Sequence, residues 1–145
     1  MFVVFDLDGT LADNAHRLHH IRERPKNYDA FYAACPDDRP CELVIKILKA
    51  HIFMGHRVEI WTGRSDWVRA ETVAWLEQHG VAPELLARMR PAVDHQPDVL
   101  LKRAWLQDAR RTGSGPDLAY DDRDGVVAMW REAGVVCFQV ASGGF

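Results

Sequence analysis

One stretch near the N-terminus constrains the fold more than any other part of the sequence. Four consecutive apolar residues, Phe2–Phe5, run directly into Asp6 and Asp8, and Gly9 and Thr10 follow at once. So short an apolar run is typical of a buried central strand in a parallel sheet. The two carboxylates then lie where the strand ends, at the edge where open α/β sheets bind ligands. Because such close acids repel each other, we expect a cation such as Mg²⁺, a raised pKa on one acid, or both. The simpler alternative is an aspartate pair that only caps a turn.

Short apolar segments alternate with amphipathic ones along the rest of the chain. Strands are predicted at residues 57–61, 86–90, 117–120 and 135–140, and helices at 28–32, 41–53, 66–79, 97–110 and 123–133. This alternation predicts a single α/β domain over residues 1–145, with a three-layer, Rossmann-like fold. We expect a mainly parallel sheet with helices on both faces. The small residues at 141–145 predict a flexible end.

The segment at about residues 13–40 interrupts this alternation and is predicted to be a small insertion, too short for a large cap domain. Residues 16–26 contain four Arg or Lys and three His. This charge fits either a solvated surface or the edge of an anion site. Tyr28, Phe31 and Tyr32 are suited to stacking on a nucleobase, although core packing is the alternative for at least one of them.

Composition restricts the class of function. The 145 residues carry a net charge of −3, which argues against duplex binding through a broad basic face. The three cysteines have no CxxC spacing, which favours small buried residues in a reducing cytosol over disulfide or metal roles. The sequence shows neither a secretory leader nor an apolar stretch of membrane-spanning length. We therefore expect a soluble cytoplasmic protein without a membrane partner; its oligomeric state is not predicted.

Polar groups follow three of the predicted strands. They are Asp6 and Asp8 after the first, Thr62, Gly63 and Arg64 after the second, and Asp121 and Asp122 after a later one. Because parallel strands share one carboxyl edge, these groups can meet there, together with Lys102 from the intervening helix. Considered alone, Thr62, Gly63 and Arg64 would be interpreted as a plain turn, and Lys102 as a solvated helix residue.

Such a set of groups suits phosphoryl transfer. One carboxylate can attack phosphorus and carry the phosphoryl group. A second can protonate the leaving oxygen and later deprotonate water. A hydroxyl, a lysine and Mg²⁺ can hold the remaining phosphate oxygens, where charge gathers.

Several short motifs resemble those of the haloacid dehalogenase superfamily of phosphatases. The run from Asp6 to Thr10 matches its DxDGT signature, and Thr62, Lys102 and the pair Asp121-Asp122 are similar to its later motifs. The resemblance implies the superfamily fold with a small cap or none. It implies that Asp6 is the nucleophile, which should stay ionised, and Asp8 the general acid/base, which should carry the proton. It also implies that Thr62 and Lys102 bind phosphate, and that Asp6, the Asp8 carbonyl and either Asp121 or Asp122 bind Mg²⁺.

A narrower resemblance covers most of the chain. The segment from Tyr120 to Phe145 closely resembles the end of the 3′-phosphatase domain of phage polynucleotide kinases. It implies that Arg17 and Arg64, with Gly63, bind the substrate phosphate. It also implies that Asp98 acts with Lys102, four residues later on the same helix face, where it can orient the ammonium group.

This second resemblance implies a Mg²⁺-dependent phosphomonoesterase that acts through an aspartyl-phosphate on the 3′-phosphate of polynucleotide ends or nucleotides, in DNA or RNA end repair. The sequence contains no GxxxxGK[ST] phosphate loop, so we expect no kinase activity from it, and a separate kinase or ligase partner stays open. One alternative is a general small-molecule or 5′-nucleotide phosphatase. The other is a non-catalytic interaction module, although Asp6, Asp8 and Lys102 are all retained.

Overall fold

A five-stranded parallel sheet forms the centre of the computed structural model, which describes residues 1–144. The strands are β1 (Phe2–Phe5), β2 (Ala12–Asp13), β3 (Arg39–Pro40), β4 (Arg57–Ser65), β5 (Leu86–Arg90), β6 (Leu118–Arg123) and β7 (Val136–Gly143). The helices are α1 (His19–Arg22), α2 (Tyr28–Ala33), α3 (Glu42–Phe53), α4 (Arg69–Gln78), α5 (Asp98–Arg111) and α6 (Asp124–Glu132). The main sheet has the order β5-β4-β1-β6-β7, and each neighbouring pair is parallel.

Strand β1 lies at the middle of this sheet and is buried on both faces. Val3 and Phe5 pack into one core with residues of α3 and α4, whereas Phe2 and Val4 pack into a second core with residues of α5 and α6. This division follows from the alternation of side chains along a strand. The predicted three-layer α/β fold, with helices on both faces of a parallel sheet, is confirmed.

The segment between β1 and α3 begins and ends in a small two-stranded sheet of its own. Strands β2 and β3 pair antiparallel, with Ala12 opposite Pro40 and Asp13 opposite Arg39. Helices α1 and α2 lie between them, and Ile21 and Tyr28 line the same cleft as Asp6. The insertion therefore forms one wall of that cleft.

Two strands continue further than the sequence predicts. Ser65 pairs with Arg90 and Arg123 pairs with Gly143, so the expected turns after β4 and β6 are parts of strands with irregular register. Residues 141–143, predicted to be flexible, belong to β7, because their backbone pairs with β6. Phe145, which the same prediction includes, lies outside the described residues.

Not every apolar helix residue packs against the sheet. Leu43 and Ile47 of α3 and Leu100 of α5 are exposed, while Ile45 and Leu106 are buried. Within residues 1–144, no helix combines the length and apolarity needed to cross a membrane.

Candidate active site

A buried cluster of charges lies at the carboxyl edge of the sheet. Asp6 follows β1, Asp121 lies in β6, and Lys102 belongs to the first turns of α5. The Lys102 ammonium nitrogen is 2.7 Å from Asp6 Oδ1 and 2.7 Å from Asp121 Oδ2. The parallel sheet thus brings together three side chains that the sequence predicts to meet, although 115 positions separate Asp6 from Asp121.

Asp122 extends this cluster and provides a place for a cation. Asp6, Asp121 and Asp122 each offer a carboxylate oxygen within 4.8 Å of the others. Asp122 Oδ1 is buried without a hydrogen-bond partner among the described residues. Gly9, with φ +83°, lies so close that a Cβ there would overlap the Asp122 carboxylate. An unpartnered carboxylate oxygen in an all-oxygen cluster is the kind of ligand that Mg²⁺ prefers, so the residues fit that ion.

Burial and mutual repulsion determine the protonation of these acids. Burial raises the pKa of Asp6 well above its usual range; the Lys102 ammonium opposes this shift, and Asp121 and Asp122 add to it. Burial, together with Asp121, raises the pKa of Asp122 to about 6. Although burial lowers the pKa of Lys102, Asp121 and Asp6 raise it by more, so that Lys102 stays charged.

Asp8 is held by two arginines. Arg17 Nη2 is 2.7 Å and Arg64 Nη2 is 2.5 Å from Asp8 Oδ1. Burial raises the pKa of the Asp8 carboxyl, but Arg64 and Arg17 lower it by more, and it lies well below its usual range. The sequence predicts an ionised Asp6 and a protonated Asp8. Without a bound cation or phosphate the shifts have the opposite direction: the pKa of Asp6 is raised and that of Asp8 is lowered. The cause is that the two arginines pair with Asp8 and not with Asp6.

Asp38 fixes both arginines, and the sequence did not predict any role for it. This fully buried carboxylate accepts hydrogen bonds from Arg17 Nε and Nη2, each at 2.7 Å, and from Arg64 Nη2 at 3.0 Å. His16 Nε2 also lies 2.8 Å from Asp38 Oδ1. Asp38 stands near the end of the insertion and belongs to no recognised motif, so no sequence signal identifies it.

Asp98 makes no direct hydrogen bond to Lys102 within the described residues, although its position four residues earlier on α5 predicts that it orients the ammonium group. Its carboxylate instead accepts hydrogen bonds from Arg90 Nη2 and from Arg123 Nη1, the latter at 2.7 Å. The Lys102 ammonium reaches between β1 and β6 instead, but the nearby charge of Asp98 still helps to raise the pKa of Lys102. The joint role of Asp98 and Lys102 therefore stays a prediction. Arg90 also donates to the carbonyl oxygens of Gly63, at 2.7 Å, and Gln96, at 2.6 Å, and so ties β4 to the loop before α5.

The predicted substrate-binding residues lie at different depths. Gly63 and Arg64 line the cleft with Asp6 and Asp8. Thr62 and Arg17 are fully buried, and the Thr62 hydroxyl accepts a hydrogen bond from the Arg64 backbone amide at 3.0 Å. Their predicted contact with phosphate therefore stays a prediction.

The cleft above these residues has a volume of about 790 Å³. One wall comes from α1 and α2, another from Ser65 at the end of β4 and the nearby Trp67, and a third from residues 90–98. Of the three aromatic residues expected to stack on a base, Tyr28 is half exposed. Phe31 is buried, with the Arg17 guanidinium 4.3 Å from its ring centroid.

Comparison with known proteins reveals similarity along the whole chain. A family model described as "Polynucleotide kinase PNKP phosphatase domain" matches residues 1–145. A structure of the Pnkp1/Rnl/Hen1 RNA repair complex contains a chain that is 28% identical, with a TM-score of 0.78. That match covers 99% of the present chain and 43% of the other, so the present chain spans less than half of that relative.

More distant structures share the fold alone. A class C acid phosphatase from Bacillus anthracis, with tungstate bound, is 16% identical, with a TM-score of 0.63 over 94% of this chain and 65% of that one. A haloacid dehalogenase-like hydrolase from Streptococcus pneumoniae is 12% identical, with a TM-score of 0.60 over 95% of this chain and 83% of that one.

Proposed function

Because the chain belongs to the polynucleotide kinase PNKP phosphatase-domain family and is therefore a phosphatase, we propose that it removes 3′-phosphates from polynucleotide ends or nucleotides through an aspartyl-phosphate. The observation that carries this proposal is the meeting of Asp6, Asp8 and the buried Lys102 at one sheet edge, below an open cleft. In this arrangement a nucleophile, a proton carrier and a fixed cation can act on one phosphate.

Asp6 is the proposed nucleophile. One of its carboxylate oxygens attacks phosphorus, and the bond from phosphorus to the ester oxygen breaks as Asp8 donates a proton to that oxygen. Water then attacks the aspartyl-phosphate, Asp8 takes up a proton, and phosphate leaves with the Asp6 carboxylate restored. Lys102, 2.7 Å from Asp6, compensates the charge on the nucleophile and on nearby phosphate oxygens.

Asp8 must gain a proton before it can act as an acid, although its two arginines favour the ionised form. A phosphate dianion that recruits Arg64 weakens the pair between Arg64 and Asp8 and so raises the pKa of Asp8. Asp38 keeps Arg17 and Arg64 in place during this exchange, since it hydrogen-bonds to both.

Asp6 and Asp122 would hold Mg²⁺, together with the Asp8 carbonyl that the family resemblance implies. We assign the direct contact to Asp122 and not Asp121, because Asp121 already accepts hydrogen bonds from Lys102 and from the Arg123 backbone amide. When bound, Mg²⁺ would neutralise the carboxylates and polarise a phosphoryl oxygen. The unpartnered oxygen of Asp122 supports this assignment.

The proposed substrate rests on the relatives and on the cleft. The 28% identical relative belongs to a complex named for RNA repair, which favours a nucleic-acid end and allows a separate ligase or kinase partner. A cleft of about 790 Å³ holds far more than a phosphate group. A general small-molecule or 5′-nucleotide phosphatase is the alternative, since the catalytic groups alone do not select an alcohol.

A panel of matched substrates tests this proposal. Phosphate release would be measured with Mg²⁺ from DNA and RNA oligonucleotides and from mononucleotides that carry the phosphate at either the 3′ or the 5′ end. We expect kcat/KM to be at least about tenfold higher for the 3′ forms, a difference of about 1.4 kcal/mol in transition-state binding. Equal values, or a preference for 5′-phosphates, would contradict the proposed substrate, and Asp6→Asn serves as the inactive control.

A further inference from the structure

Two aromatic side chains stand exposed at the mouth of the cleft. Trp67 is 57% exposed and Tyr28 is 48% exposed, and both line the cleft that contains Asp6 and Asp8. Large apolar surfaces left exposed beside a functional cleft commonly mark a binding site. We refer to Tyr28, Tyr32 and Trp67 together as the aromatic rim.

Trp67 is held next to the catalytic groups by the backbone around it. Its amide donates to Ser65 Oγ at 3.2 Å, which begins the short 3₁₀ turn Asp66–Val68 directly after β4. Arg64, three positions earlier, pairs with Asp8. No aromatic ring stacks on Trp67 within residues 1–144, and more than half of this residue is exposed, so its indole is accessible to a ligand.

The tyrosine side of the rim is linked to the same catalytic groups. The rings of Tyr28 and Tyr32 have centroids 6.3 Å apart, and Tyr32 lies 5.4 Å from Phe31. Phe31 in turn packs under the Arg17 guanidinium, which hydrogen-bonds to Asp8. Helix α2 therefore carries its rings at a fixed position relative to the proton carrier.

We propose that the aromatic rim is a stacking subsite for the terminal nucleobase of the nucleotide whose phosphate is removed. Stacking on a ring tolerates any base, because every base offers a flat π-face. The inference deepens the proposed function and rests on it for the position of the phosphate. It predicts an enzyme that needs a base near the phosphate but does not read its identity.

Charge at the rim favours a nucleotide over a neutral aryl group. Lys26 Nζ lies 6.0 Å from the centroid of the Tyr28 ring. A cation beside a stacking surface suits a nucleic-acid strand, whose next phosphodiester lies one nucleotide from the stacked base. A simple aryl phosphate has no such second charge.

The test compares two 3′-phosphorylated oligonucleotides that differ only at the last residue, which carries either thymine or no base. We would measure kcat/KM for both substrates with the full chain and its Trp67→Ala, Tyr28→Ala and Trp67→Phe variants. We expect the ratio of the base-bearing to the base-free substrate to fall about tenfold in Trp67→Ala and to be largely kept in Trp67→Phe. Phe53→Ala is the control, because Phe53 is 92% exposed on α3 and does not line the cleft.

The outcomes separate this inference from the proposed function. An unchanged ratio in both Trp67→Ala and Tyr28→Ala would overturn the subsite. Faster hydrolysis of O-phosphotyrosine than of the thymine-ended substrate, with the same sensitivity to Trp67→Ala, would assign the rim to aryl phosphates and overturn it as well. A preference of the unsubstituted protein for 5′-phosphates would instead contradict the proposed function, while the base-dependent ratio, measured on 5′-phosphorylated substrates, would still decide the subsite.

Discussion

Lys102 Nζ lies 2.7 Å from Asp6 Oδ1, and both side chains are buried. This contact joins the first strand of the chain to a helix that begins more than ninety residues later. Breaking a buried ion pair leaves an uncompensated charge in a medium of low polarity, which costs far more than the loss of a surface pair. The pair thus links the stability of the fold to its proposed chemistry.

Replacement of the proposed nucleophile should separate chemistry from folding. We expect Asp6→Asn to lower kcat by at least about 1,000-fold, because an amide oxygen cannot carry the phosphoryl group through an aspartyl-phosphate. The thermal unfolding midpoint should stay close to that of the unsubstituted protein, because Lys102 keeps its pair with Asp121 and the loss of one clustered carboxylate charge relieves repulsion from Asp121 and Asp122. Hydrolysis at the unsubstituted rate by a folded Asp6→Asn protein would rule out the mechanism.

Removal of the buried ammonium should destabilise the fold. In Lys102→Met, the carboxylates of Asp6, Asp121 and Asp122 lose their shared counter-charge, and we expect the free energy of unfolding to fall by about 3–5 kcal/mol. Mg²⁺ should restore part of this loss, which urea titrations with and without the ion would detect. Arg103→Met is the matched control, because Arg103 is half exposed, and its distant pair with Glu132 should contribute about 1 kcal/mol or less.

Asp38 should act as a positioning residue for the two arginines. We expect Asp38→Asn to lower kcat/KM by about 100-fold, because Arg17 and Arg64 lose the buried carboxylate that orients them on Asp8. The pH–rate profile should shift as well, a change that simple loss of folded protein would not cause. Asp37→Asn, at the exposed neighbouring position, should leave both quantities unchanged.

Gly9 should be required for space as well as for backbone conformation. Gly9→Ala places a methyl group against the Asp122 carboxylate and adopts a left-handed backbone that costs about 1–2 kcal/mol for an alanine. Gly134 has a similar φ, +79°, and open space around it, so Gly134→Ala carries the backbone cost alone. We expect Gly9→Ala to lose more stability than Gly134→Ala and, unlike it, most of the activity. Equal effects on stability and activity would show that the contact with Asp122 is unimportant.

Asp122 should make stability depend on pH when divalent ions are removed. Its pKa is raised to about 6 in the folded protein, against about 3.9 in the unfolded chain, so the folded state binds the proton more tightly. The resulting stabilisation is fully present below about pH 3.9 and is lost as pH rises through about 6. In EDTA, the free energy of unfolding relative to Asp122→Asn should therefore fall by roughly 2–3 kcal/mol between pH 4 and pH 7. A flat difference across this range would contradict the assigned shift.

Much of the fold could be predicted because its signals are local. The apolar run Phe2–Phe5 and the regular alternation of strands and helices predict a parallel sheet, and the sheet is present with helices on both faces. The sequence predicts ends for β4 and β6 that are too early, since the polar residues there resemble turns. Their continuation depends on pairing with β5 and β7, which the sequence of a single segment does not contain.

The sequence by itself determined which charged groups would meet at the sheet edge, because Asp6, Asp121 and Asp122 follow strands whose carboxyl ends must share that edge. Only the tertiary structure decided which arginine or lysine pairs with each acid at and around this edge. Arg17 and Arg64 pair with both Asp8 and Asp38. Asp98 pairs with Arg90 and Arg123. These pairs join segments whose side chains meet only after folding. Protonation follows from these pairings and from burial, so the opening Asp6-Leu7-Asp8 motif predicts an acidic centre but not which acid holds the proton. The aromatic rim likewise exists only because the insertion and the end of β4 enclose one cleft.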